Sequence, residues 1–167
     1  KQAWLAGMML YTVTAALGAY LLGQRWSGMA AGFVTAAAYL YAPYSLFDAV
    51  GRGTVSEYAS LAALPFVWWM LKRLADTGRR LDFVGSVAAF ALFVPIHNVI
   101  TLHGALVTGL YALLLAGTSP QRARTLIRLG GALALGMGVT AFFWLPALTE
   151  TRFVKLDAIT EVLPDID

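Results

Sequence analysis

The sequence contains no cysteine and few charged residues, and both shortages narrow the class of protein. Without cysteine the chain can form no disulfide framework and no thiolate metal site. Charged residues make up 13% of the chain, whereas a typical soluble domain has roughly 25%. Together with a mean hydropathy of +0.70, this composition predicts an integral membrane protein.

Several catalytic and cofactor signatures are also missing. The chain has no P-loop, no GxGxxG fingerprint, no haem attachment motif and no Ser-His-Asp order. Its two histidines, His97 and His103, are six residues apart and fall on different faces of a helix. No cofactor is therefore predicted, and no ligand cluster in the sequence supports a divalent metal. Nucleic acid is not a predicted partner, because the basic residues lie in short loops between apolar segments.

Six apolar segments approach the length of about 20 residues that a helix needs to cross a bilayer. They span residues 4–22, 29–44, 55–70, 83–96, 99–116 and 126–145. The second and fourth are short, and we expect them to tilt, to extend into their loops or to be buried among the others. The sequence thus predicts an all-α, polytopic transmembrane helix bundle over residues 1–150. An external amphipathic or irregular tail is predicted over residues 151–167.

The basic residues are distributed unevenly over the predicted loops, which sets the orientation. Eight of the twelve lie in the loops after the first, third and fifth segments: Arg25, Lys72, Arg73, Arg79, Arg80, Arg122, Arg124 and Arg128. Positively charged loops face the cytoplasm. Both ends of the chain, and the loops after the second and fourth segments, are therefore expected on the external side.

One stretch between the second and third segments is rich in aromatic and charged residues. Residues 39–57, YLYAPYSLFDAVGRGTVSE, place several ionisable groups beside two spans, where such groups are expensive and often functional. We predict that Asp48 and Glu57 are catalytic carboxylates that accept a proton. Tyr44 and Arg52 are predicted to bind substrate, Arg52 through a phosphate. The structural alternatives are an ion pair between Arg52 and either acid, and a capping box formed by Thr54 and Glu57.

Polar residues at two other places are predicted to reach the same external face. His97 and Asn98 form a turn between the fourth and fifth segments, and Glu150 follows Pro146, which is expected to end the last helix. A histidine at such a turn can donate to a phosphate or carry a proton. Substrate-binding roles are predicted for His97, Asn98 and Glu150. The alternative roles are hydrogen bonds to free carbonyl groups at a helix end for the first two and a solvated helix end for Glu150.

Small residues repeat at a spacing of four in two of the segments. The repeats are Gly28, Gly32 and Ala36 in one segment and Gly130, Ala134 and Gly138 in another. Small residues at this spacing let helices approach closely in a membrane. We therefore expect a compact bundle, and the same faces would suit contacts with other transmembrane proteins.

Three stretches of the sequence carry a family resemblance: YAPYSLFDAVGRGTVSEYASLAALPF, VPIHNVITL and GMGVTAFFWLPALTETRFV. They resemble the bacterial multi-spanning membrane proteins grouped as 6-pyruvoyl-tetrahydropterin synthase-related, which are similar to the GT-C glycosyltransferases. The resemblance implies a GT-C-like enzyme that takes a sugar from a polyprenyl-phosphate-linked donor at the periplasmic side of the bacterial inner membrane. It also implies that Arg52 and His97 bind the phosphate and that Asp48 or Glu57 serves the acceptor or the sugar.

Two other functions are compatible with the sequence. GT-C enzymes carry their usual catalytic acid in the first external loop, which here would precede Lys1, so we expect the chain to be a fragment of a larger membrane domain. A non-catalytic transmembrane scaffold subunit of a larger complex is the first alternative. A transporter or lipid flippase is the second, although the charges lie at one face rather than near the midplane, where transporter sites are typically found. Membrane lipids and transmembrane proteins are the further predicted partners.

Overall fold

A computed structural model of the chain describes residues 2–52 and 54–149. Within these ranges the chain is helical and contains no strand, as predicted. The helices are α1 (Gln2–Ser27), α2 (Met29–Leu40), α3 (Pro43–Leu46), α4 (Val55–Thr77), α5 (Arg80–Phe93), α6 (Asn98–Thr118), α7 (Arg122–Val139) and α8 (Ala141–Thr149). A π-helical turn, Phe47–Arg52, follows α3 directly. The predicted tail, residues 151–167, lies outside the described residues.

The second predicted segment, residues 29–44, is too long at its C-terminal end, because α2 stops at Leu40. Pro43 disfavours the helical conformation for the residue before it, and Ala42 accordingly has a ψ angle of 133°. The chain becomes helical again in α3, with Pro43 in its first turn, where the missing N–H of proline costs nothing. This break separates Tyr44 from the apolar helix that precedes it.

The last predicted segment, residues 126–145, consists of two helices, α7 and α8, which are separated at Thr140. The Thr140 hydroxyl donates to the carbonyl oxygen of Gly136 at 3.0 Å, which satisfies an acceptor near the end of α7. The prediction that Pro146 ends the last helix is wrong, since α8 continues to Thr149. Proline removes one backbone hydrogen bond from a helix, and the bonds on either side of it maintain α8.

Two of the described helices, α1 and α6, are long and apolar enough to cross a membrane, and α2 is a shorter apolar helix. The six predicted segments match α1, α2, α4, α5, α6 and the pair α7 and α8 in order. α4 extends beyond residue 70 through the charged residues Lys72, Arg73 and Asp76. α5 has 14 residues and rises about 21 Å, less than a hydrocarbon core of about 30 Å. The count of six crossings therefore stays a prediction.

The buried core lies where α4, α5, α6 and α7 pack together. Leu71, Phe93, Thr108 and Leu129, one from each of these helices, are fully buried. The indole Nε1 of Trp68 donates to the Thr108 hydroxyl at 2.9 Å, so the buried polar atom has a partner. This core holds the start of α4 and the turn between α5 and α6 in fixed relation to each other.

Small residues allow α1 and α2 to pack closely. A Cβ atom added to Gly23 would lie 2.6 Å from a backbone oxygen of α2, and one added to Gly32 would lie 2.9 Å from the carbonyl oxygen of Tyr20. The close packing predicted from the first glycine repeat is therefore confirmed at Gly32. A Cβ atom on Gly130 or Gly138 would meet nothing within 4 Å. The second repeat thus faces away from the described part of the chain.

At one end of the bundle, each described carboxylate lies beside a cation. Asp76 lies 2.9 Å from Arg25 Nε and 2.6 Å from Lys72 Nζ. Asp82, which is 3% exposed, lies 2.8 Å from Arg73 Nη2. We call Arg25, Lys72, Arg73, Asp76 and Asp82 the basic end. It belongs to the side of the bundle where the predicted cytoplasmic loops lie.

Candidate functional site

The connection between α2 and α4, together with the first turn of α4, carries four of the predicted site residues. α3 contains Tyr44, and the π-helical turn contains Asp48 and Arg52. π-Helical turns are rare and frequently occur at functional sites. α4 begins shortly afterwards, which brings Glu57, in its first turn, next to them. We call Tyr44, Asp48, Arg52, Thr54 and Glu57 the polar cluster.

Glu57 is the hydrogen-bonding centre of the polar cluster. Its side chain is buried, with only 4% of the residue exposed. The Tyr44 hydroxyl and Arg52 Nη1 both donate to Glu57 Oε1, the latter at 3.1 Å. The Thr54 hydroxyl lies 3.0 Å from Glu57 Oε2. Both oxygens of this buried carboxylate therefore have donors, and one of the donors is a cation, as a buried carboxylate requires.

Thr54 is a member of the cluster that the sequence analysis assigned to a different role. Thr54 is the N-cap residue of α4, as the capping box predicts, but its side chain makes no capping hydrogen bond. Its hydroxyl instead lies against Glu57 Oε2 and Asp48 Oδ1. The capping-box prediction is therefore wrong for the side chain, because Asp48 and Glu57 offer charged acceptors that compete with the backbone N–H groups. The position of Thr54 between the two acids in the sequence was the available signal.

Asp48 is the most deeply buried member of the polar cluster, with 0% of the residue exposed. Its Oδ1 contacts the Thr54 hydroxyl. Its Oδ2 has no hydrogen-bond partner among the residues that the structure describes. Buried side-chain oxygens nearly always have a partner, so Asp48 is an exception that calls for a chemical explanation.

Tyr44 connects the buried acids to the surface. It lies in α3, outside the apolar helices, and 46% of the residue is exposed. The hydrogen bond to Glu57 raises the pKa of the Tyr44 phenol above its ordinary value, and burial and the negative charge of Glu57 act in the same direction. Arg52 has the opposite effect on this pKa. The phenol therefore remains a proton donor to Glu57 well into the alkaline range.

His97 caps α6 at the same end of the bundle. Its Nδ1 accepts a hydrogen bond from the backbone N–H of Ile100 at 3.3 Å. A neutral imidazole that accepts at Nδ1 carries its proton on Nε2, so Nε2–H is available as a donor. His97 also acts electrostatically on Glu57, which places the histidine within reach of the polar cluster. This cap uses Nδ1, so it is compatible with the predicted binding of phosphate through Nε2.

An apolar groove of about 330 Å³ lies next to the His97–Asn98 turn, between α6 and the pair α7 and α8. Its walls include Val94, Asn98, Leu102, Met137, Phe143 and Trp144. Trp144 is held in place by a hydrogen bond from its Nε1 to the carbonyl oxygen of Met137, at 2.9 Å. The volume lies at the lower end of the range for small-molecule sites, about 300–1,000 Å³. We call this cavity the apolar groove.

The structure brings most of the predicted site residues to one end of the bundle. Tyr44, Arg52 and Glu57 are in direct contact, and Asp48 joins them through Thr54. His97 lies within electrostatic reach, and the exposed Asn98 borders the apolar groove. Glu150 lies outside the described residues. The predicted ion pair of Arg52 is found with Glu57, and the roles of all these residues in binding or catalysis stay predictions.

The described residues include no group of three or more His, Cys, Asp or Glu side chains that could hold a metal ion. Asp48 and Glu57 are the two acids that approach each other through a shared partner. The Arg52 guanidinium lies 3.1 Å from Glu57, and a cation at that position opposes the binding of a second one. The arrangement therefore favours an anionic ligand next to Arg52.

Comparison with known proteins identifies the family. Residues 1–166 match the family described as "6-pyruvoyl-tetrahydropterin synthase related domain; membrane protein". No curated protein and no solved structure matches the chain. The family match confirms the first part of the resemblance seen in the sequence, and the likeness to GT-C glycosyltransferases stays a prediction. With nearly the whole sequence matched, the chain belongs to the 6-pyruvoyl-tetrahydropterin synthase related family of membrane proteins.

Proposed function

We propose that this chain is part of a membrane glycosyltransferase that uses a polyprenyl-phosphate-linked sugar as its donor. One observation carries the proposal: the polar cluster, at the start of α4, and the apolar groove, which Asn98 at the start of α6 lines, lie towards the same end of the bundle. A lipid-linked sugar has two matching parts, an anionic phosphate with its sugar and a long apolar chain. The polar cluster suits the first part, and the apolar groove suits the second.

Arg52 is the group best suited to the phosphate. Its side chain is 45% exposed, and Nη1 is bonded to Glu57 at 3.1 Å. A guanidinium has five N–H donors, so the ion pair orients the group and leaves further donors for a ligand. Arginine binds phosphate oxygens in pairs through these donors. The Nε2–H of His97 supplies a second donor from the neighbouring turn.

The proposed reaction is a displacement at the anomeric carbon of the sugar. An acceptor hydroxyl attacks this carbon, the bond between the carbon and the lipid phosphate oxygen breaks, and the phosphate keeps the electron pair. Asp48 or Glu57 takes the hydroxyl proton as general base. Arg52 and His97 stabilise the negative charge that develops on the departing phosphate. Tyr44, Asn98 and Glu150 are proposed to contact the sugar.

The apolar groove supports binding of the lipid chain. Its walls are almost entirely apolar and belong to α6, one of the two helices that can span a membrane, and to α7 and α8. Asn98 is one of the few polar members of the wall and stands at the first position of α6, next to His97. A chain in the groove would therefore hold its phosphate close to this turn.

The proposed setting is the bacterial inner membrane, with a GT-C-like bundle of six crossings and both ends of the chain on the external side. The order of the helices along the chain, which matches that of the six predicted segments, supports this topology. The basic end contains several of the lysines and arginines that predict a cytoplasmic face. The polar cluster, at the opposite end, would then face the periplasm, where a lipid-linked donor is accessible from the bilayer.

The test is a transfer assay in membranes that contain the protein and a polyprenyl-phosphate-linked, radiolabelled sugar. We expect transfer of the label to an acceptor together with release of polyprenyl phosphate. Arg52→Ala should lower the rate on the order of 100-fold, as does the loss of one group that stabilises transition-state charge. Arg25→Ala is the matched control, because Arg25 also pairs with a carboxylate but lies at the basic end. Its rate should stay within about twofold of the wild-type rate, since it contacts no part of the proposed site.

Three outcomes would contradict the proposal. Equal rates for Arg52→Ala and wild type would remove Arg52 from the chemistry. Movement of the intact lipid-linked sugar across vesicles, without release of polyprenyl phosphate, would identify a transporter or flippase. Loss of co-purified membrane proteins in Gly130→Leu and Gly138→Leu, combined with absence of transfer in the wild type, would identify a scaffold subunit. Both glycines face open space in the described part of the chain, so bulkier residues are tolerated within it.

A further inference from the structure

One acid of the polar cluster, Asp48, is reached by few hydrogen-bond donors in the described part of the chain. Asp48 is fully buried, and its Oδ2 meets no donor among residues 2–52 and 54–149. A buried carboxylate is costly to keep ionised unless a cation or several donors surround it. Arg52, the cation that the cluster contains, is bonded to Glu57 instead. The described residues therefore place no cation against Asp48 and leave one of its buried oxygens without a donor.

The Thr54 hydroxyl contacts two carboxylates but has only one proton to donate. Its oxygen lies against Asp48 Oδ1 and, at 3.0 Å, against Glu57 Oε2. A hydroxyl has one proton and donates to one acceptor. If both acids were ionised, one of these two contacts would join two oxygens with no proton between them. One additional proton removes this conflict, because a protonated acid donates to the Thr54 oxygen while Thr54 donates to the other acid.

The neighbours of each acid determine where that proton rests. Glu57 accepts from the Tyr44 hydroxyl and from the positively charged Arg52, through Nη1. These groups favour an ionised Glu57. Asp48 contacts the Thr54 hydroxyl alone within the described part of the chain. The described contacts thus supply several donors to Glu57 and a single one to Asp48.

We propose that Asp48, Thr54 and Glu57 form a proton-binding site that holds one proton, which rests on Asp48 and passes to Glu57 through the Thr54 hydroxyl. In the transfer, Asp48 Oδ1 gives its proton to Thr54 Oγ1 as Thr54 gives its own proton to Glu57 Oε2. One O–H bond breaks and one forms at Thr54, so the number of protons is unchanged. Tyr44, which donates to Glu57 and is partly exposed, leads from this site to the surface. The proposal does not depend on the glycosyltransferase function.

The experiment is infrared spectroscopy of the whole protein in lipid bilayers at neutral pH, in H₂O and in D₂O. We expect a carbonyl stretching band of a protonated carboxylic acid that shifts in D₂O and is absent in Asp48→Asn. Asp82→Asn is the matched control, because Asp82 is equally buried but pairs with Arg73. Its spectrum should keep the band.

A second variant keeps the test decisive if Asp48→Asn does not fold. Thr54→Val removes the hydroxyl and keeps the shape of the side chain, so the acid of Asp48 loses its acceptor. The carbonyl band should then move to higher frequency while remaining present. Absence of the band in the wild type, or its persistence in folded Asp48→Asn, would overturn the proposal. Loss of the band on addition of Mg²⁺ or Mn²⁺ to chelator-treated wild type would overturn it in favour of a metal site.

Discussion

The buried acids at the two polar ends of the bundle have different neighbours. At the basic end, Asp82 is paired with Arg73 and Asp76 with both Arg25 and Lys72. In the polar cluster, Arg52 is the one cation that contacts an acid in the described residues, and it contacts Glu57. Asp48 is as deeply buried as Asp82 and has no such partner there. The same residue type is thus neutralised by an arginine at one end and left without a cation at the other.

The difference separates a structural role from a chemical one. A carboxylate matched by a cation and held at the junction of helices α4 and α5 stabilises that junction. Ionisable groups whose charge is not balanced inside the protein cluster at functional sites, because binding or catalysis supplies the missing partner. The polar cluster also has an exposed arginine and a neighbouring groove. The ion pairs of the basic end therefore stabilise the bundle, and we propose that the polar cluster is where the chemistry takes place.

The largest expected effect comes from the same substitution at both ends. Asp82→Asn should lower the free energy of unfolding by about 3 kcal/mol, because it breaks a buried, charge-assisted pair with Arg73. Asp48→Asn should lower it by less than about 1 kcal/mol, because a neutral amide replaces an acid that has no cation partner. Chemical unfolding in detergent micelles, followed by tryptophan fluorescence, measures both values. Equal losses would mean that the two acids have equivalent surroundings and would remove the contrast between the ends.

A smaller effect is expected from the central acid of the polar cluster. Glu57→Gln should lower the free energy of unfolding by about 2 kcal/mol, because the amide no longer forms an ion pair with Arg52. The corresponding change at the basic end, Asp76→Asn, should cost less than about 1 kcal/mol, since the Asp76 side chain is 30% exposed and its ion pairs are surface pairs. The same unfolding measurement compares the two variants. A greater loss of unfolding free energy for Asp76→Asn would show that the stability of the basic end depends on Asp76 rather than on Asp82.

The smallest effect concerns the response of Tyr44 to pH. Its pKa is raised above the ordinary value of 10.0, mainly by the hydrogen bond to Glu57. The stabilisation from this bond is therefore complete below pH 10.0 and is lost as the pH rises through the higher, folded-state value. Ultraviolet absorption at alkaline pH should show a late phenol ionisation that disappears in Tyr44→Phe. Tyr41→Phe, which alters a more exposed neighbour, should leave that late step in place.

Two prolines, Pro43 and Pro146, show where rules based on neighbouring residues predict a helix end correctly and where they fail. At Pro43 the rule that the preceding residue leaves the helical region is obeyed, and α2 ends a few residues earlier. At Pro146 the same rule suggests a helix end, but α8 runs on to Thr149. The loss of one backbone bond is tolerated inside a helix when the other bonds remain. The sequence pattern therefore predicts the helices but misplaces several of their ends.

Thr54 shows why the site could be located from the sequence but not described. The spacing of Tyr44, Asp48, Arg52 and Glu57 predicted a group of ionisable residues beside two helices, and the structure brings them into contact. The sequence pattern of Thr54 and Glu57 predicted a capping box, because that pattern considers only residues within one turn. The hydroxyl instead contacts Asp48. A short polar side chain takes whichever acceptor the tertiary structure brings nearest.

The sequence by itself determined the helical class, the membrane character and the segregation of basic residues, because apolar content and charge distribution are properties of the chain. It also determined which residues lie near one another along the connection between α2 and α4. The tertiary structure alone decided which acid meets a cation and which does not. Asp82 pairs with Arg73 across the turn between α4 and α5. Asp48 is fully buried, and no cation contacts it among the described residues. Ion pairing depends on distances of a few ångströms between side chains, and only the packing of the helices sets those distances.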